Sequence, residues 1–192
     1  MVDIERQFTY KVVIVGDAQV GKTSLILKYT KGTFNKEYII TLGAQLSKFE
    51  DIVEGNKIKL VFWDIAGQTN FSQLQQSFYK GSSAAIIVFS HEENELGDKS
   101  FQNIPKWLNN IIEYCGRIPV VLFGNKIDLI DVNELIINKK HPKSDHNIVK
   151  LMKELKILGY LKTSALTGEG VTFAFKTLTN HVFQIKEKNQ AS

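Results

Sequence analysis

The stretch that most restricts how this chain can fold is Lys11 to Ser24, KVVIVGDAQVGKTS. Val12-Val13-Ile14-Val15 is an unbroken, mostly β-branched apolar run. That composition suits a strand buried on both faces in the middle of a parallel sheet. Gly16 ends the run, and Gly16-Asp17-Ala18-Gln19-Val20-Gly21-Lys22-Thr23 fits the pattern G-x-x-x-x-G-K-[ST]. Leu25, Ile26 and Tyr29 then recur at helical spacing. Strand, glycine loop and helix in that order are the context of a phosphate-binding loop. Gly16 and Gly21 permit backbone angles and close approaches that a Cβ would block. The loop N–H groups and the helix N-terminus form a cradle for phosphate oxygens. Lys22 sets a compact charge against the β- and γ-phosphates, and Thr23 offers its hydroxyl to Mg²⁺. The pattern implies a nucleoside phosphate as ligand.

At 192 residues the chain suits one domain, and 43% hydrophobic with 23% charged residues is ordinary for a globular protein. The net charge of +4 is mild and dispersed, the densest basic run being the weak Lys186-Glu187-Lys188. Without a basic stripe and exposed aromatics, a nucleic-acid partner is not expected. Cys115 stands alone, so no intramolecular disulfide is possible, and its place after Ile111-Ile112 reads as a small buried thiol. His91, His141, His146 and His181 are scattered and receive no metal or catalytic role. There is no signal-peptide pattern and no apolar run near the ~20 residues that span a bilayer, so the expected location is intracellular.

Further along, the helix after the loop should stop near Gly32, and Thr33 to Gly43 reads as a loop. Ala44 to Val53 and the alternating Ile58, Leu60 and Phe62 predict an antiparallel hairpin around Glu54-Gly55-Asn56. Phe71, Leu74, Phe78 and Tyr79 mark a short helix, and Ala84 to Phe89 another buried strand. A helix is expected over Asp98 to Cys115, a strand over Val120 to Phe123, and a polar region from Asp131 to Asp145. A helix from Ile148 to Leu158, a strand from Tyr160 to Thr163 and a helix from Val171 to Lys186 close the chain. Alternating strands and helices argue for a doubly wound α/β fold, whose ligands lie outside the carboxyl ends of the strands.

Two more motifs fall at such ends. Asp64-x-x-Gly67 offers a carboxylate for the Mg²⁺ shell and a backbone N–H that can approach a γ-phosphate. In Asn125-Lys126-Ile127-Asp128, the acceptor-only carboxylate of Asp128 matches the two N–H donors of guanine. Adenine would leave that carboxylate unpaired, at a cost of several kcal/mol. Asn125 can bridge to the base or to neighbouring loops, and the Lys126 stem can lie along the ring.

With these sites together, the chain resembles a Ras-superfamily small GTPase, most closely of the Rab branch, from about Phe8 to Lys186. The resemblance rests on Gly16-Asp17, Thr41-Leu42-Gly43, Trp63-Asp64-x-Ala66-Gly67-Gln68 and Phe78-Tyr79-Lys80-Gly81. Ser100-Phe101-x-Asn103-x-x-x-Trp107-Leu108 and Thr163-Ser164-Ala165 extend it. It implies a P-loop NTPase (small G) domain at residues 8–187, between a short extension (1–7) and a tail (188–192). Its sheet would have six strands, all parallel but one, with helices on both faces. The implied nucleotide set is Asp17, Ala18, Gln19, Val20, Gly21, Lys22, Thr23, Ser24, Phe34, Tyr38, Thr41, Gly67, Asn125, Lys126, Asp128, Leu129, Ser164, Ala165 and Leu166. Within it Phe34 stacks on guanine, Tyr38 closes over the phosphates and the Ala165 N–H meets the guanine carbonyl. Thr23, Thr41 and, through water, Asp64 would hold Mg²⁺; Gln68, Lys22 and Thr41 would be catalytic. Trp107 is kept as a packing residue.

The chain departs from the family pattern at Thr69 and Asn70, where a Glu and a basic residue are usual. Leu46, Trp63 and Phe78 stand where Rabs place Phe, Trp and Tyr, Leu166 replaces a Lys, and the 131–145 region is longer than usual. The chain as given ends Asn189-Gln190-Ala191-Ser192, with no cysteine for a prenyl anchor. Arg6 and Arg117 are its only arginines and neither lies in the two implied switch segments, Thr33 to Gly43 and about Ile65 to Tyr79, so slow hydrolysis of GTP to GDP is expected. A partner's arginine would accelerate it by about 10³–10⁵-fold. Effectors, exchange factors and activating proteins are the implied partners of a monomeric switch, cytoplasmic and peripheral at membranes through partners or a longer tail. Two alternatives remain: a nucleotide-binding interaction module with negligible hydrolysis, and a phosphate-loop ATPase or nucleotide kinase. The second would need no N-K-x-D and would need an arginine-rich lid.

Overall fold

The computed structural model describes residues 6–32, 43–66 and 72–190, with the side chains of 72–75 and 189–190 excepted. Six strands form one sheet in the order β2-β3-β1-β4-β5-β6. These are β1 (Gln7–Val15), β2 (Ala44–Val53), β3 (Asn56–Ile65), β4 (Ala84–Ser90), β5 (Val120–Asn125) and β6 (Gly159–Lys162). Only β2 runs antiparallel to its neighbour. Its hairpin closes through Glu54 and Gly55, both at positive φ (49° and 78°), the twist-matched geometry of a two-residue turn.

The apolar run of β1 is buried on both sides, as its composition predicts. Val12 and Ile14 face one core layer and Val13 and Val15 the other. The first layer is filled by α1 (Lys22–Lys31) and α7 (Val171–Gln190) through Leu25, Ile26, Phe175, Leu178 and Phe183. The second takes Tyr79 of α2 (Ser72–Tyr79), Ile104, Trp107 and Ile111 of α4 (Ile104–Cys115), and Ile148 of α6 (Asp145–Leu155). Among the described residues no helix is long and apolar enough to cross a membrane.

Some expected boundaries move. The single helix expected over Asp98 to Cys115 is two, α3 (Glu95–Gln102) and α4, meeting at Asn103. Pro105 has no N–H to donate back to Phe101 and disfavours helical backbone at Ile104, so the helix restarts. The polar region 131–145 contains a short helix, α5 (Val132–Ile137), whose N-cap Asp131 accepts from the Asn133 N–H. The helix expected from Ile148 starts earlier, because Ser144 caps it by accepting from Asn147 N. Cys115 is half-buried rather than buried, its thiol donating to the Tyr79 carbonyl at 3.2 Å. The loop reading of 33–43 falls outside the described residues except for Gly43.

Candidate functional site

The carboxyl ends of β1, β3, β4 and β5 converge on one edge of the sheet, and the motif residues gather there. Backbone contact sets the phosphate loop. Gly16 has φ 141°, and a Cβ on it would sit 2.1 Å from the Val88 carbonyl oxygen of β4. Gly21 has φ 94°, and a Cβ there would sit 2.3 Å from Asn125 Nδ2. A side chain at Gly16 displaces the loop from β4, and one at Gly21 displaces the Asn125 amide or the loop. Gln19 also lies in the left-handed region, at φ 65°, with its side chain exposed. Non-glycine residues pay roughly 1 kcal/mol or more for that conformation. Val20 is buried in the core, Ala18 half-buried.

Lys22 is only 6% exposed, and its ammonium donates to the Gly16 and Asp17 carbonyls at 2.8 Å each. Burial lowers its pKa to about 8, opposed by the charges of Asp64 and Asp17. The parallel register pairs Ile14 with Asp64 and so brings the end of β3 beside the loop. The Thr23 hydroxyl donates to Asp64 Oδ2, and Asp64 is buried. A hydroxyl beside a carboxylate is an oxygen pair of the kind Mg²⁺ takes when substrate phosphates and waters complete its shell. Among the described residues no cluster of three His, Cys, Asp or Glu side chains could hold a metal unaided.

The Asp17 side chain faces α4: its carboxylate accepts from Asn103 Nδ2 and from Trp107 Nε1, each at 2.7 Å. Trp107 therefore both packs and holds the loop, a role the sequence reading did not give it.

At the other end, a cavity of about 190 Å³ is lined by Ser24, Glu92, Asn125, Lys126, Asp128 and Ala165 among others. Asn125 is buried and ties loops together. Its Nδ2 donates to the Val20 carbonyl at 2.8 Å, and its Oδ1 accepts from the Ala165 N–H at 3.1 Å. The amide that the resemblance assigns to a guanine carbonyl is thus engaged by Asn125 here. Asp128 is exposed at the cavity mouth on a 3-10 turn (Ile127–Leu129), and the Ser164 hydroxyl donates to its Oδ1 at 2.5 Å. Leu129 and Leu166 are exposed on the cavity rim. Lys126, in the left-handed region at φ 64°, is paired with Glu92 Oε2 at 2.5 Å. Burial raises the Glu92 carboxyl, but the bonds from Lys126 and Ser90 and the charges of Lys126 and Lys143 together outweigh it and leave its pKa below the usual value.

Glu92 and Lys143 were not singled out from sequence, and Asn103 was named only as part of the family pattern, with no role at the loop. Glu92 follows the carboxyl end of β4, so the strand-end rule that located the other motifs would have flagged it. Phe34, Tyr38, Thr41, Gly67 and Gln68, with Thr69 and Asn70, lie outside the described residues. On the neighbouring surface Leu46 is exposed, Trp63 meets Phe78 at 6.1 Å between centroids, and the Lys11 ammonium sits 4.0 Å over the indole.

The family model described as Ras family matches residues 11–184. The chain is 31% identical over 199 residues to GTP-binding protein RHO1 of Candida albicans, covering 99% of this chain and 96% of that protein. It is 34% identical over 179 residues to Ras-related protein Rab-18-B of Danio rerio, covering 92% and 80%. With GTP-binding protein ypt3 of Schizosaccharomyces pombe it shares 29% over 182 residues, covering 94% and 79%.

Proposed function

The chain belongs to the Ras family of small GTPases, and from that premise we propose that it is a Rab-like guanine-nucleotide switch that binds GTP and GDP and hydrolyses GTP slowly. One observation carries the reading: a closed phosphate loop around Lys22, the Thr23–Asp64 pair and the Asp128 cavity share one edge of the sheet. A triphosphate with a base must be gripped at both ends, and these are the groups that grip each end.

In this reading Lys22 turns its ammonium from the Gly16 and Asp17 carbonyls toward the β- and γ-phosphates, and the loop amides take the remaining oxygens. Asp128, oriented by Ser164, accepts from the guanine donors, while Asn125 keeps the two loops in register. Thr23 and Thr41, with Asp64 through water, would hold Mg²⁺, whose chemistry is to neutralise charge developing on the β- and γ-phosphate oxygens. Gln68 would orient the attacking water, and Thr41 and Gly67 would respond to the γ-phosphate as the two switch segments. With no arginine in either switch segment, a partner's arginine would supply the acceleration. Effectors would read the triphosphate state across Leu46, Trp63 and Phe78, in membrane trafficking or a related polarity or signalling pathway.

The test is displacement of a fluorescent GDP analogue from the purified chain, followed by single-turnover phosphate release. GTP should displace it and ATP should not, and release should be slow. Displacement by ATP would overturn the base assignment. Binding without any release would favour the interaction module, a reading that Thr69-Asn70 at the glutamine motif supports. A rate already near the accelerated level would overturn the need for a partner.

A further inference from the structure

Among the described residues, Lys143 is a buried charge outside the phosphate loop and its Asp64 partner. It lies between α5 and α6 in the longer 131–145 region, is 1% exposed, and reaches across to the loop after β4. Its ammonium donates to the Glu92 carbonyl at 2.6 Å and pairs with Asp98 Oδ1 at 2.9 Å. Lysine is almost never buried to this degree unless its charge is paired and hydrogen-bonded, as it is here. The turn that carries it is braced: Asn147 Nδ2 donates to the Lys139 and His141 carbonyls, and His141 Nδ1 accepts from the Lys143 N–H. His141 also approaches Glu93, at 3.5 Å.

The residue so gripped, Glu92, is the one whose carboxylate holds Lys126 at the base cavity. Its backbone is also closed in by α3, because a Cβ on Gly97 would lie 2.0 Å from the same carbonyl oxygen. Ser90 Oγ donates to Glu92 Oε2 at 3.0 Å and accepts from the Glu92 N–H at 3.1 Å, fixing the side chain's direction. A continuous polar path therefore runs from Lys143, through the Glu92 backbone and carboxylate, to Lys126 and the cavity.

We infer that Lys143 is a positioning residue for the base end of the site: by fixing Glu92 it sets where Lys126 stands against the bound nucleotide, and so sets how long that nucleotide stays. The inference rests on the guanine-nucleotide reading above. It gives the 131–145 region a task, which is to make nucleotide residence depend on a segment outside the phosphate loop and the switches. Because the path ends at the base and not at the phosphates, its effect should be the same for di- and triphosphate and independent of Mg²⁺.

The experiment measures dissociation of fluorescent GDP and GTP analogues from the full chain, with Mg²⁺ and with excess EDTA. Lys143→Met should speed dissociation by roughly tenfold, the scale of losing one hydrogen bond to a charged group. The factor should be equal for both nucleotides and both conditions, with the association rate unchanged. Glu92→Gln should speed it comparably, and the double variant no more than the larger single effect. An unchanged rate in folded Lys143→Met, an effect that adds fully to that of Glu92→Gln, or one present only with Mg²⁺ would overturn the inference. If Lys143→Met fails to fold, Lys143→Arg and Glu92→Gln decide. Wild-type residence in Lys143→Arg with faster release in Glu92→Gln supports the path, and no change in Glu92→Gln overturns it. A wild-type chain that binds no guanine nucleotide overturns the reading of the site and this inference with it; binding with unaltered release overturns the inference alone.

Discussion

At the phosphate end of the site, positions are fixed by space and largely by backbone: Gly16 against the Val88 carbonyl, Lys22 donating to two carbonyls of its own loop, and Gly21 closed against the Asn125 side chain. At the base end they are fixed by side chains holding side chains, as Ser164 holds Asp128 and Glu92 holds Lys126. Backbone packing tolerates little change, because a carbonyl cannot retreat without moving its strand. Side-chain ties loosen one at a time. Damage to the phosphate end should therefore weaken binding more strongly, whereas damage to the base end should grade it.

The largest effect is expected at Lys22. Lys22→Met removes the ammonium proposed to meet the phosphates and should weaken GTP by about 2–4 kcal/mol, read by calorimetry. The wild type adds a pH signature. Its ammonium is held near pKa 8 without ligand, and anionic phosphates would raise that value, so binding takes up a proton above pH 8. Affinity should be flat below that pH and fall by up to about tenfold per unit above it. Lys22→Met should lack the bend; a bend of equal size in the variant would mean that another group carries it.

Asp128→Asn comes next and probes the graded end. It exchanges an acceptor for a group that is half donor, so guanine should lose about 2–3 kcal/mol while xanthine nucleotides gain. Thermal stability should change little, since Asp128 is exposed. Equal GTP affinity in the variant would remove this carboxylate from base recognition.

The contrast between the two ends is also a contrast in what sequence can display. The phosphate loop was legible because strand, glycines, Lys22 and helix follow one another within Lys11 to Ser24. The side-chain ties are not local. Asn103 and Trp107 reach Asp17 across 86 and 90 residues, and Lys143 reaches Glu92 across 51. Only the strand order, which sets β4 between β1 and β5, makes these neighbours. Asp128 could be paired with guanine from chemistry alone, but its orientation by Ser164 could not. Lys143 was invisible for a simpler reason, since a lysine in a polar stretch reads as solvated. The break at Asn103 was readable from Pro105; the apolar spacing on either side masked it.

A smaller effect is expected beside the base end, at His91. It is fully buried against Tyr160, with 2.7 Å between Nε2 and the phenol oxygen. Burial first, then the charges of Lys143, Lys162 and His141, lowers its pKa from 6.5 to about 3. The folded state thus keeps His91 neutral where the unfolded chain takes a proton. Its contribution to stability is complete above pH 6.5 and is lost as pH falls toward 3. Between pH 6.5 and 5, above the carboxylate range, denaturant titrations should show stability falling by up to about 1.4 kcal/mol per pH unit. His91→Gln should flatten that slope, and an unaltered slope would place the titration elsewhere.

The smallest effect tests the exception to the comparison. Asp17 is where the phosphate end borrows the material of the base end, its carboxylate held by the side chains of Asn103, which caps α4, and of Trp107 within it. Trp107→Phe keeps most of the ring packing and removes the indole N–H, leaving Asn103 to hold the carboxylate alone. Because the partner is charged but only half-buried, water can replace the missing donor, and the cost should stay near 1 kcal/mol plus the lost ring area. The informative readout is the difference between two variants. Asn103→Ala removes the other donor with little buried area, so if α4 steadies the loop through Asp17, both should speed nucleotide release by a few-fold and by similar factors. If Trp107→Phe lowers the melting temperature but leaves release unchanged, the indole is core packing and the phosphate loop is shaped by backbone alone.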